Sequence, residues 1–436
     1  MIVLDEMSRR FATIAFVALF MGLPLLLVAG IAEDRQQYYQ EATEAVSRSW
    51  GPAPVLSGPV VVVPETSVQS APAEPGGVAK FRSERQRVFL LDQLKMKISI
   101  THQYRQRAIY DVPVFTALVE IEGQLPVIEH TRFEDGNRTL HLDRAQLLIG
   151  INHPQAIALA EPVVVGNERF DLSPFNQIAG IGRGVKIPLP SLGGEADRTF
   201  ATSIELRGSK SFAFTPFSRQ SHVEMISTWP HPSFRGRYLP IRHEISDSGF
   251  SAEWSVGELA LGVSSSWLVN ESTPPIQSFA AGVGLYEPVN DYSQIDRALK
   301  YGLLFISLTF IGFICFEISA RLKIHPVQYS VVGVALTLFF MSLLSLSEHL
   351  PFASAYMIAT LVIVTMVCVY VRAITRSLSL TMIQSFILLT LYGTLFVLLR
   401  LESFSLLVGT AVLLAALSAL MVVTRRLAEA SQLPVG

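Results

Sequence analysis

The sequence predicts a membrane protein: a six-helix α-helical transmembrane bundle plus a large all-β domain, antiparallel and sandwich-type, inserted between helices 1 and 2. Three observations predict it. Half of the 436 residues are hydrophobic and only 16% are charged, with a mean hydropathy of +0.41, against ~25% charged residues in soluble domains. Apolar runs long enough to cross a bilayer, roughly 20 residues, occur once near the N-terminus and five times near the C-terminus. The long polar stretch between them alternates apolar and polar residues with period two.

The apolar runs are residues 11–31, 301–320, 327–347, 352–371, 378–399 and 403–423. Arg9 and Arg10 precede the first, and "VAG" at 28–30 resembles a cleavage triplet, but the run exceeds the ~7–15 residues of a signal core, so it reads as an uncleaved anchor. Short-loop Lys and Arg set orientation. Arg9 and Arg10, Arg321 and Lys323, Arg372 and Arg376, and Arg425 and Arg426 mark the inward ends, whereas the outer hairpin loops carry only Arg400. Both termini (1–10 and 425–436) are therefore expected in the cytoplasm, region 32–298 in the periplasm and a five-helix domain at 299–424. Arg297 and Lys300 depart from the pattern beside a large translocated domain, where the rule is weak.

Residues 33–50 read as a helix continuing from the anchor, with Tyr38, Tyr39, Ala42, Ala45 and Val46 near helical spacing. Gly51, Pro52 and Pro54 end it. Val60–Val63 reads as a short β-branched strand, and 66–79, rich in Ala, Pro, Ser and Gly, as an exposed loop or hairpin tip. "KMKISI" (95–100), "FTALVEIE" (115–122) and "SIELRG" (203–208) each put their apolar residues on one face. One large sandwich and two stacked halves both fit the length.

Chemistry-bearing groups are sparse. Cys315 and Cys368 both fall in apolar runs, which excludes a disulfide scaffold. A net charge of -2 points to no nucleic acid partner. "GIGRGVKIPLP" (180–190) lacks the Lys-Ser/Thr of a phosphate loop and reads as a glycine-rich turn into an edge strand. His222, His231 and His243 are spaced too irregularly for zinc, and no Cys accompanies them, so neither metal nor cofactor is expected. In "TWPHPSFRGRYLP" (228–240), Pro230 and Pro232 hold His231 extended. A rigid corner follows, with Trp229 and Phe234 inward and Arg235 and Arg237 wet.

At membrane depth, ionisable groups are functional candidates. Glu317 is the clearest, with Arg321 placed to pair at i,i+4 and His325 opening the next loop. Glu348 and His349 form an outer turn. Trp229 and His231 complete the candidate residues, and no catalytic residue is assigned. Ala411, Ala415 and Ala419 give the last run a close-packing face.

The chain resembles the CreD family, linked to cell-envelope integrity. The resemblance rests on "SGPVVVVP" (57–64), "YDVPVFTALVEIEG" (110–123), "GVKIPLP" (184–190), "STWPHPSFRGRYLPIRHEISDSGFSAEW" (227–254), "DRALKYGLLFISLTF" (296–310), "FEISARLKIHPVQY" (316–329) and "LSLSEHL" (344–350), in that order. It implies a Gram-negative inner-membrane protein whose production is governed by a sensor kinase and response regulator. It also implies that altered levels change tolerance to colicins and envelope stress. It supplies no reaction or cofactor. The expected role is non-enzymatic support of the envelope, with the lipid bilayer as partner and other envelope proteins or cell-wall components as partners of the periplasmic domain. Two rivals stand beside it. A transporter or channel predicts polar groups converging near the bilayer midplane. A membrane-anchored periplasmic enzyme or carbohydrate-binding module predicts a pocket lined by His231, Arg235, Arg237 or His243 with Glu244 or Asp247.

Overall fold

The structure, a computed structural model, describes residues 2–73, 77–129, 137–178, 180–189, 192, 198–269, 274, 276–285, 291–319, 324–400 and part of 407–421. The chain divides into two compact units: residues 1–40 with 289–436, and Glu41–Pro288.

The first unit is helical. Helix α1 (Ile2–Phe20) and helix α2 (Gly22–Trp50) are separated only by Met21. Pro24 explains the interruption, since it has no N–H to donate to the carbonyl four residues back, at Phe20. No break follows residue 31, so the anchor and the polar helix expected at 33–50 are one element. After helix α3 (Glu258–Leu261), which belongs to the second unit, come α4 (Asp291–Ser319), α5 (Pro326–Ser347), α6 (Phe352–Thr375) and α7 (Leu378–Arg400). Among the described residues five helices are long and apolar enough to cross a membrane. The sixth expected span, 403–423, lies largely outside them; its described Ala411 and Ala415 are exposed rather than packed, and Ala419 lies outside.

Aromatic rings and small residues bind these helices. Phe339 of α5 meets Tyr356 of α6 and Tyr392 of α7 at ring centroid distances of 5.4 and 4.6 Å, and the Tyr356 hydroxyl donates to the Tyr392 carbonyl at 2.6 Å. A Cβ at Gly333 of α5 would stand 2.7 Å from Met21 Cγ, so the glycine permits close approach.

The second unit is built on two sheets, of ten and nine strands among the described residues. Both are mixed, which corrects the purely antiparallel expectation. Val55–Ala73 pairs parallel with Ser211–Thr215, and Leu91–Arg107 pairs parallel with Ser218–Ser227. Parallel neighbours need a long crossover, and the intervening sequence supplies one; local alternation is silent about partners so distant. The "short" strand at Val60–Val63 is the centre of the 19-residue strand Val55–Ala73. That strand forms a hairpin with Gly77–Phe89, so the expected loop at 66–79 is mostly strand, with its tip at 74–76 outside the described residues. Gly182–Pro188 is not an edge strand either: it lies between Ser173–Ile178 and Gln146–Ile151. At Gly184 an added Cβ would stand 2.0 Å from the Ile149 carbonyl oxygen, which is why glycine occupies that central position.

The main core draws on both sheets. Val61 and Val63 of one contribute to it together with Met96, Ile98, Ile100, Phe115, Ala117, Val119, Ile121, Ile204 and Leu206 of the other. The alternation expected at 95–100, 115–122 and 203–208 is therefore what faces inward. Val60 and Val62 point the other way, into a second cluster with Phe217, Trp267 and Phe279. Burial on both faces explains the unbroken run of four valines. The end of α2, from Glu41 on, is itself part of this second unit. The guanidinium carbons of Arg105 and Arg207 lie 4.2 and 4.9 Å from the Trp50 ring centroid, and the Trp50 indole donates to the Phe115 carbonyl. Of the residues expected on its packed stripe, Ala42 and Val46 are buried, whereas Tyr38 is exposed.

Candidate functional site

The stretch "TWPHPSFRGRYLP" is the corner where the chain changes sheets. It leaves Ser218–Ser227 of the nine-stranded sheet, enters Pro232–Gly236 of the ten-stranded sheet, and returns to Arg242–Ser246 of the first. Pro230 and Pro232 suit such a crossing, because each favours an extended residue before it. Trp229 is 4% exposed. Its backbone N–H donates to Ser227 Oγ at 3.1 Å and its indole N–H donates to the His231 carbonyl at 3.1 Å. Its ring meets His102 edge-on at 5.3 Å, and His102 Nδ1 lies 2.7 Å from Thr228 Oγ1.

The rest of the corner is held in the same way. Phe234 packs at 5.7 Å from Phe250 and 5.9 Å from Trp254. The Trp254 indole donates to the Tyr238 carbonyl, and the Tyr238 hydroxyl donates to the Ala260 carbonyl. Burial pushes the Tyr238 phenol above its ordinary range, partly opposed by the Arg237 charge. Arg237 lies over the Phe279 ring at 4.5 Å, and the Arg235 guanidinium occupies the space a side chain at Gly284 would need. His231 is exposed; its contribution here is the carbonyl that receives the indole. His222 pairs with Glu224 at 3.3 Å, and the His243 ring lies 5.3 Å from that of Phe234, tilted by 57°. Among the described residues no group of three or more His, Cys, Asp or Glu is placed to hold a metal.

In the helical unit the ionisable candidates occupy separate places. The Tyr329 hydroxyl, at the start of α5, donates to Glu317 Oε2 at 3.1 Å. Arg321, the partner expected for Glu317, lies outside the described residues. His325 caps α5: its Nδ1 accepts from the Val327 N–H at 3.3 Å, and the Gln328 side chain accepts from the His325 N–H at 3.0 Å. With Pro326 next, this is a capped helix start. Glu348 is paired with Arg35 of α2 at 3.3 Å, while His349 is exposed.

Three groups escaped the sequence reading. Arg35 was unremarkable in a polar stretch, yet it meets Glu348. Glu65 is 2% exposed and accepts from the Arg87 guanidinium at 2.5 Å across neighbouring strands; its in-facing position became legible only with the full length of Val55–Ala73. Gln384 of α7 is fully buried, and among the described residues neither its amide nitrogen nor its amide oxygen has a hydrogen-bond partner. The available signal is an amide inside an apolar run, at 378–399.

Comparison with known proteins settles the relationship. The family model described as "Inner membrane protein CreD" matches residues 6–428. The Inner membrane protein CreD of Escherichia coli (strain K12) is 29% identical over 410 residues, covering 94% of this chain and 90% of that protein. Among solved structures, the native yeast LTA4 hydrolase shares 9% identity, with 51% of this chain and 35% of that chain covered; at a TM-score of 0.24 the likeness carries no argument. With the family pattern running almost end to end through apolar helices and the inserted β unit, this multi-pass chain, in contact with the lipid bilayer, belongs to the CreD family of inner membrane proteins.

Proposed function

We propose that this protein supports the integrity of the cell envelope, and tolerance to envelope stress and colicins, without catalysing a reaction. In this reading it crosses the inner membrane six times, keeps both termini in the cytoplasm and holds its β unit, a sandwich of two sheets, in the periplasm. The sheet-changing corner is the observation that carries it. The most distinctive block of the sequence spends Trp229, Phe234, Arg237 and Tyr238 on joining two sheets and coupling their core to the surrounding loops. A shared core between the sheets supports the sandwich. The Arg35–Glu348 pair supports the topology, because it brings the stretch after the first span and the end of α5 together. The periplasmic unit would meet other envelope proteins or cell-wall components.

Reporter fusions test the arrangement. A cytoplasm-active reporter fused after Arg376 or Arg425 is expected to work, and one placed within 100–290 is expected to be exported. A cytoplasmic signal from 100–290 contradicts the orientation.

A further inference from the structure

The outward face of the nine-stranded sheet carries polar side chains in rungs fixed by strand register. One rung is Gln93, Gln124 and Thr199, directly opposite one another on three neighbouring strands. The next outward rung, two residues along, begins with Lys95 opposite Glu122. The rung between them faces the core and includes Phe200, which is 3% exposed. Where the sheet continues into Val163–Val165, the two outward rungs become the floor of a trough of about 420 Å³. That volume lies in the range of small-molecule sites, ~300–1,000 Å³.

Two features narrow the ligand. Lys95 and Glu122 are both exposed, and directly opposed residues in a sheet have Cβ atoms only about 4.5–5.5 Å apart. Even so, among the described residues no hydrogen bond or ion pair occupies either charge. Both charges are free, side by side, beside two primary amides. The aromatic member of the lining, Phe200, has its ring in the core and offers no face on which a sugar could stack.

We propose that this trough binds a free amino acid or short peptide through its two charged ends. The α-ammonium is held by Glu122, the α-carboxylate by Lys95, and the amide groups between or beside them by Gln93 and Gln124. Charge-assisted hydrogen bonds at both ends supply the affinity, and because they are exposed they weaken as salt rises.

Isothermal titration of tri-alanine into the full chain in lipid nanodiscs at low salt tests this. Saturable binding is expected. Lys95→Met and Glu122→Gln should each weaken it by about tenfold or more, the loss of one charge-assisted contact, and so should acetylating and amidating the peptide ends. The double exchange Lys95→Glu/Glu122→Lys should recover binding, because the peptide can turn round. Surface positions such as these tolerate substitution without unfolding. The proposal is overturned by absence of saturation below about 10 mM, by single variants that bind as the parent does, or by a N-acetylglucosamine disaccharide binding more tightly than tri-alanine.

Discussion

Replacing Trp229 with Ala removes the side chain that locks the sheet-changing corner. A buried Trp hides ~150–250 Å², and at ~25 cal/mol per Å² this corresponds to about 4–6 kcal/mol. Alanine keeps the Cβ and the cavity partly relaxes, so the expected loss is about 3–5 kcal/mol, as for other large aromatic truncations. For a domain of this size each kcal/mol moves the melting midpoint by ~2–4 °C, so a fall of roughly 6–20 °C is expected. All four tryptophans, Trp50, Trp229, Trp254 and Trp267, lie in Glu41–Pro288. Intrinsic fluorescence of the intact protein in detergent therefore reports on this unit alone, and three reporters remain in the variant. His231→Ala is the control: its exposed ring is lost but its carbonyl still receives the indole N–H, so the change should stay within about 0.5 kcal/mol. A Trp229→Ala midpoint indistinguishable from the parent, or a His231→Ala shift as large as that of Trp229→Ala, would refute the reasoning.

Two further variants address the helices. Glu317→Gln keeps an oxygen for the Tyr329 hydroxyl and should retain normal abundance and near-normal envelope tolerance, whereas Glu317→Leu removes that acceptor and should lower membrane abundance; a fully expressed Glu317→Gln that behaves as a null would favour transport. Gln384→Leu removes two buried amide atoms that have no partner among the described residues, each costing on the order of 1–3 kcal/mol, and should raise the thermal stability of the helical unit. Reaction of Cys315 and Cys368 with a thiol dye on heating follows that unit separately, and a Gln384→Leu protein that melts earlier would show that the amide has a stabilising role.

The elements were legible where a local pattern decides them. Met96, Ile98 and Ile100 alternate with Lys97 and Ser99, and that face is the buried one. The apolar runs on α4 to α7 are helices because their length and hydropathy leave few alternatives. What a local pattern cannot reveal is which strands meet. The parallel pairing of Leu91–Arg107 with Ser218–Ser227 joins residues more than a hundred positions apart, and no local alternation encodes it. Val60–Val63 looked short because Pro64, Pro72 and the small polar residues after it resemble a loop, yet the hairpin register continues to Ala73. At the candidate sites, the inward Trp229 and the wet Arg235 and Arg237 followed from proline stiffness and side-chain size. The acceptor role of the His231 carbonyl, the Arg35–Glu348 pair and the isolated Gln384 depend on tertiary packing.

In the proposed function, architecture rather than side-chain chemistry carries the envelope role. One measurement tests it most directly: survival under colicin and detergent challenge of a strain lacking this protein, complemented by a chain in which Glu317→Gln, His231→Ala and His349→Ala are combined. Protection equal to that of the parent chain at equal membrane abundance is expected. Protection lost while the combined variant remains abundant, with an unchanged fluorescence melting midpoint, would contradict it.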